Sequence, residues 1–309
     1  MDIISFGEAL IDFKQQEGLN FAGFEGGSNM NVAVAVSRLG AEVGFGGQVS
    51  SDLFGEALRN HLDKNGVDRT FLLESDAPST LAFVAEIDGD AHYSFMGENA
   101  ADRTYNPQPR PTLPDSVKFI AFGSFNLVYD PTSSSITDII AAHQDRCAIV
   151  LDPNVRPALT PDKAAYKENL KKWLALADIV KVSVQDLDWL EPAKSPQAFA
   201  TEWLSYGPQA VIITDGEEGV TLYRDGKDPL KIPAPKVEVK DTVGAGDTFT
   251  GSMMVALLDK DKTADFGEMS DDTWRDVLNF AANAAAFNCT RDGADPPTRA
   301  ELSEFMKSR

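Results

Sequence analysis

Apolar and polar positions alternate along this chain with two different periods, and the alternation predicts an α/β protein. Short apolar runs read as buried strands: Ile3 to Phe6, Val43 to Val49, Val117 to Phe122, Ala148 to Leu151, Ala177 to Val182 and Ala210 to Thr214. Helical periodicity is read over Val32 to Leu39 (closed by Gly40), from Ser51 onward, over Ile136 to Ala142, over Met253 to Leu258 and over Phe280 to Phe287. Strand followed by helix at this spacing predicts right-handed βαβ units and a mainly parallel sheet. One region breaks the rhythm. Leu81 to Ile87 and His92 to Met96, around Asp88-Gly89-Asp90, read as a hairpin with no crossover helix, and so as part of a small β-rich lid. The proline-rich Tyr105 to Pro114 leads back to the main sheet, and Val237-Glu238-Val239 alternates like a short strand.

Composition narrows the partners more than the fold. At 309 residues the chain can hold one large α/β domain or two modest ones, and a hydrophobic fraction of 43% is ordinary for a globular protein. A net charge of −20 argues against nucleic acid and against anionic membrane surfaces. An anionic ligand must therefore be received by a local positive site. Met1 to Gly7 has no basic n-region and no long apolar run, so neither a secretory segment nor a membrane span is expected. Cys147 and Cys289 stand far apart without metal-ligand spacing, and His61, His92 and His143 form no cluster. A reduced, cytoplasmic protein without structural zinc is the expectation.

Candidate chemistry concentrates in Asp241-Thr242-Val243-Gly244-Ala245-Gly246-Asp247. Small residues at a helix N-terminus leave backbone N–H groups open to an anion, and the helix dipole favours one there. Asp247 beside such a site suits a proton acceptor, while an ordinary glycine turn capped by Asp247 explains the same residues; the local pattern leaves both open. Three other places draw attention on their own residues. Asp12 follows the first strand, where ligands of open α/β sheets gather. Gly26-Gly27-Ser28-Asn29-Met30-Asn31 opens a helix, and Arg156 stands at a strand end in a chain short of positive charge.

Together these segments resemble the ribokinase-like carbohydrate kinases of the PfkB type, from Gly7 to Pro297 and in the expected order. The 241–251 stretch is similar to that family's C-terminal signature. Gly26 to Ala33 is similar to the N-terminal one, with Ser28-Asn29 in place of the usual small-proline pair. Gly7 to Asp12 resembles fructokinase-like members, Gly47 to Gly55 a stretch of the family at large, Gly97 to Arg103 the lid tail of bacterial fructokinases, and Asp152-Pro153-Asn154-Val155-Arg156 a segment of fructokinase and ketodeoxygluconate kinase members. The chain as a whole looks most like bacterial fructokinases. The resemblance implies a single ribokinase-like domain over 1–309, a three-layer α/β/α sandwich with a mainly parallel central sheet. It also implies a small β-sheet lid built from about 10–25 and 78–104, through which homodimers form. The implied reaction is transfer of the γ-phosphate of ATP to a sugar hydroxyl, carbon 6 of fructose being the expectation. Ketodeoxygluconate, ribose or a riboside is the alternative substrate, and a non-catalytic sugar- or nucleotide-binding regulator the alternative class.

The resemblance also assigns roles. Asp247 would be the base, and Gly244, Ala245 and Gly246 with it the anion hole. Asp12, Gly27, Asn31 and Phe95 would hold the sugar, and Arg156 would steady phosphate or substrate. Thr214, Gly216, Gly219 and Asn283, with Gly244 and Gly246, would contact the nucleotide. Mg²⁺ would be met by Asp186 through water, in place of the usual glutamate, and a monovalent cation, K⁺, would sit by Asp241 and Val243. Asp52 is expected chiefly to cap a helix. Asp265-Phe266-Gly267 and the sequon Asn288-Cys289-Thr290 are read as coincidences, and neither a P-loop nor a Rossmann glycine pattern is present.

Overall fold

A computed structural model describes residues 1–87 and 90–308; the expected turn at Asp88-Gly89 lies outside the described residues. The chain opens with β1 (Ile3–Phe6), β2 (Leu10–Gln15), β3 (Phe21–Gly26), α1 (Ser28–Arg38), β4 (Val43–Ser50), α2 (Leu53–Lys64) and β5 (Asp68–Ser75). β6 (Leu81–Ile87) and β7 (Asp90–Met96) precede β8 (Phe119–Gly123), α3 (Thr132–Ala141), β9 (Ala148–Asp152) and α4 (Lys163–Leu174). Then come β10 (Ile179–Ser183), α5 (Val184–Leu190), α6 (Pro196–Leu204), β11 (Ala210–Thr214), β12 (Val220–Tyr223) and β13 (Leu230–Ile232). Three helices close the chain: α7 (Ala245–Asp259), α8 (Asp271–Asn288) and α9 (Arg299–Lys307).

Among the described residues the strands form two sheets. The larger runs β13-β12-β11-β10-β9-β8-β1-β4-β5, parallel except where β12 joins β11 and β13. Its two faces are read off by alternation. Ile3, Phe119, Val150, Ile179 and Ile212 pack with α1, α7 and α8. Ile4, Ile120, Ile149, Val180 and Val211 pack into the opposite core, where Ile139, Trp173 and Trp203 come from α3, α4 and α6. A strand buried on both faces must be apolar throughout, which is why these runs show little polar alternation. The smaller sheet, β3-β2-β6-β7, is the lid. Chain order places β2 and β3 between β1 and α1, so the lid leaves the main sheet at the end of β1 and returns at Gly27.

Two expectations change. Val237-Glu238-Val239 forms no strand; Pro233 and Pro235 lack amides for a ladder, and Val239 is 57% exposed. The helix expected from Phe280 begins at Asp271, capped by Ser270. Phe266, within Asp265-Phe266-Gly267, is a core residue. It is wholly buried, and its carbonyl accepts the Trp274 indole N–H at 3.0 Å. No described helix is long and apolar enough to cross a membrane.

Candidate active site

The carboxyl ends of β1, β8, β9, β10 and β11 point to one edge of the sheet, where α7 begins. Gly244 caps α7 with φ 74°, and a Cβ on it would lie 2.5 Å from the Ala294 Cβ, so both backbone and space call for glycine. The Ala245 amide is engaged by the Thr242 carbonyl at 3.2 Å. The Gly246 and Asp247 amides, in the first turn, have no carbonyl partner among the described residues. The Lys181 ammonium lies beside them: a Cβ on Gly246 would stand 2.8 Å from its Nζ. Lys181 is buried and paired with Asp152 at 2.9 Å. Burial alone would lower the lysine, but Asp152, with Asp186 and Asp247, carries it above its ordinary value.

Asp247 is 6% exposed and does not cap its helix. It accepts hydrogen bonds from the Ser28 hydroxyl (2.6 Å), the Asn31 amide (2.9 Å) and the Asn154 amide (3.4 Å). The three donors come from the start of α1 and from the loop after β9, where Asn154 holds φ 37°. Asn154 also donates to Ser28 at 2.8 Å, and its side-chain oxygen accepts from Arg156 at 2.7 Å. Arg156 thus folds back on its own loop.

Around this group stand two carboxylates of raised pKa. Burial pushes Asp12, on β2, up to about 6; Arg156 opposes the rise and Asp247 adds to it. Burial pushes Glu8 up to about 7 against hydrogen bonding from Ser124. Glu8 accepts from the Ser28 amide at 2.9 Å and from the Asn29 side chain at 3.3 Å. Gly27 has φ 112° and lies so near β1 that a Cβ would sit 2.6 Å from the Glu8 carbonyl oxygen. Phe95 of β7 packs toward Phe125, with ring centroids 6.4 Å apart.

On the other side of α7 opens a cleft of about 940 Å³, lined by Asn154, Lys181, Thr214, Gly216, Gly219 and Gly246 among others. Its far wall is α8, through Ala282, Ala285, Ala286 and Cys289, which share one helical face at i, i+3, i+4 and i+7. Asn283 falls off that face. It does not line the cleft, and its amide donates to the Asn279 carbonyl at 2.8 Å. Asp186 borders the cleft, yet both its oxygens accept protein donors: the Val155 amide at 2.9 Å, and Ser183 in a capping box. Asp52 caps α2 and also accepts from Ser79. Asp241 accepts the Val243 amide at 3.1 Å, and the Val243 carbonyl accepts the Asn288 amide at 2.8 Å.

Sequence reasoning passed over Lys181, Ser28 and Asn154. A lysine inside Ile179-Val180-Lys181-Val182 was the available signal, because an unpaired lysine is rarely buried in a strand. Ser28 had been read as a mild departure from the family pattern; its hydroxyl proves to be the shortest contact of Asp247.

Comparison with known proteins agrees with this geometry. Residues 1–301 match the profile of the pfkB family carbohydrate kinases. The chain is 35% identical to a fructokinase of Rhizobium leguminosarum bv. trifolii over 260 residues, covering 82% of this chain and 79% of that protein. The crystal structure of Xylella fastidiosa fructokinase with bound ATP superposes with a TM-score of 0.90 at 29% identity, covering 99% and 98% of the two chains. Aminoimidazole riboside kinase of Salmonella enterica, complexed with aminoimidazole riboside and an ATP analogue, gives 0.86 at 27%, covering 99% and 100%. A nine-stranded, mainly parallel sheet, a separate small sheet and a match from end to end lead to one family: the chain belongs to the pfkB family of carbohydrate kinases.

Proposed function

We propose that the protein is an ATP-dependent fructokinase that phosphorylates the hydroxyl on carbon 6. The observation that carries this reading is the Asp247 carboxylate. It is fixed by Ser28, Asn31 and Asn154 at the seam between a lid-covered polar floor and a cleft of nucleotide size. Asp12 reaches the floor from the lid and can accept bonds from two neighbouring hydroxyls, while the Gly27 backbone and Asn31 meet the same sugar. Phe95 closes the floor from the lid side, and Arg156 balances charge there.

An incoming hydroxyl takes the place of the Ser28 hydroxyl as donor to Asp247. The carboxylate accepts its proton while the alkoxide oxygen bonds to the γ-phosphorus. The bond from that phosphorus to the β–γ bridging oxygen breaks, and its electron pair leaves with ADP. The Gly244–Asp247 backbone, through its free amides at 246 and 247, and the Lys181 ammonium face the charge on the transferring group. Mg²⁺, when bound, neutralises phosphate charge. Asp186, which borders the cleft, would be the side chain to meet it, through water. Thr214, Gly216 and Gly219 border the nucleotide. Dependence on ATP fits a cytoplasmic location, and the exposed Met96, on the lid face opposite to Asp12, offers apolar surface for a homodimer.

The test is ADP release with Mg-ATP and a panel of fructose, ribose, 2-keto-3-deoxygluconate and aminoimidazole riboside. Fructose is expected to lead in kcat/KM by roughly tenfold or more. A lead for a riboside or a sugar acid would reassign the substrate. Turnover with no sugar would favour a binding protein.

A further inference from the structure

The lid touches the phosphate loop through one charged contact. Lys14 lies two residues beyond Asp12 on β2, so both side chains leave the same face of the lid sheet. Its Nζ is 3.0 Å from Asp241 Oδ2, and Asp241 begins the loop that ends in Gly244. The lysine side chain is 48% exposed and that of Asp241 only 9%. On the neighbouring strand Phe24 stands opposite Asp12, and its ring lies against Gly293, where a Cβ would be 3.9 Å away. Gly293 in turn donates its amide to the same Asp241 oxygen at 3.1 Å. The lid therefore seats at two adjacent points, ionic on Asp241 and apolar on Gly293 of the loop after α8, which is itself bonded to Asp241.

The oxygens that the family resemblance offers to a monovalent cation already face internal donors. Asp241 Oδ1 accepts the Val243 amide, Oδ2 accepts Lys14 and Gly293, and the Val243 carbonyl accepts Asn288. Burial would raise the Asp241 carboxyl, yet the Val243 amide, Lys14 and the Gly293 amide together hold it below its ordinary value. A free cation on these atoms would stand at contact distance from an ammonium and be repelled by it. The residues present do not fit K⁺ while Lys14 is in place.

We propose that Lys14 is the built-in cation of the phosphate loop. The lid strand that brings Asp12 over the sugar also sets an ammonium on Asp241, and so orders the Gly244–Gly246 backbone without a free monovalent ion. This rests on the kinase reading of the site but not on which sugar is phosphorylated.

Mg-ATP affinity by calorimetry tests it, in KCl and in tetramethylammonium chloride at equal ionic strength, for the wild type and Lys14→Met. The wild type is expected to bind equally in both salts. Lys14→Met is expected to bind about tenfold more weakly in tetramethylammonium and to recover most of that loss in KCl. Thermal melting of the ligand-free variant should be cooperative, and its midpoint should rise in KCl but not in tetramethylammonium. A wild type that needs KCl, or a Lys14→Met protein indifferent to the salt, overturns the proposal. A wild type that binds no ATP in either salt overturns the kinase reading itself.

Discussion

The two halves of the active site are built on opposite principles. Under the lid, three donors from two distant segments converge on the Asp247 carboxylate. Across α7, the cleft proposed for the nucleotide is walled by alanines of α8 and by the extended segment from Ala234 to Val239. The first half fixes directions; the second offers shape and an apolar wall. Chemistry that moves a proton and a phosphoryl group depends on placement to fractions of an ångström, whereas a purine ring is held well by flat apolar contact. The difference teaches where specificity and rate reside, and it can be broken from either side.

The largest effect belongs to the base. Asp247→Asn keeps the shape and most hydrogen bonds but cannot take a proton, so kcat should fall by roughly 10³-fold while both KM values change little. Steady-state kinetics checks it, and near wild-type turnover would remove Asp247 from the role of base. Next is Lys181→Met, expected to lower kcat by about 10²-fold. It also leaves Asp152 buried without its partner, at a cost of about 3–5 kcal/mol. Lys181→Met with Asp152→Asn should recover the melting temperature but not the rate. Recovery of both would reduce Lys181 to a structural role.

On the nucleotide side, Ala286→Phe should raise the KM for ATP by about tenfold through overfilling the cleft, and leave the KM for sugar unchanged. Asn283→Ala, one helical face away, should do neither. The smallest effect is that of pH. Asp12 should lose its charge as pH falls through about 6, so the KM for sugar rises there while that for ATP holds. Stability should move the other way. Glu8 and Asp12 have folded pKa values of about 7 and 6 against ordinary values of 4.5 and 3.8, so the native state binds more protons between those limits. Their contribution is present at low pH and lost as pH rises through 6 to 7. A melting temperature that climbs from pH 8 to 5.5 while sugar affinity drops would show both halves of that linkage.

Much of this arrangement was legible in the sequence because it is local. Strands buried on both faces announce themselves as apolar runs, and glycine before an apolar helix marks the turns at Gly27 and Gly244. Asp247 and Asn31 stand in motifs of a few residues each. What escaped was relational. Nothing adjacent in the chain tells that Asn154 and Ser28 meet Asp247, since the contacts span 93 and 219 residues. The family resemblance points to Asn283 for the nucleotide, yet the helix turns its alanines to the cleft. Val237 to Val239 has a strand's alternation, but the prolines before it remove the donors a strand needs. The Asp186 carboxylate was legible in the sequence, whereas the bonds from Val155 and Ser183 that fix its two oxygens were not.

The neck of the lid has a wider consequence. Glu8 and Gly27 stand on either side of the excursion that forms β2 and β3; the Ser28 amide donates a hydrogen bond to the Glu8 carboxylate, and the backbones at 8 and 27 approach too closely for any side chain at 27. The excursion is thus closed at its base independently of what it carries. Substitutions between residues 10 and 25 that keep Lys14 and its contact with Asp241 are expected to change what the lid covers while Ser28 and Asn31 stay anchored at the neck. With Lys14 held, a library confined to the lid would vary the acceptor contacts and leave the hydrogen bonds on Asp247 in place.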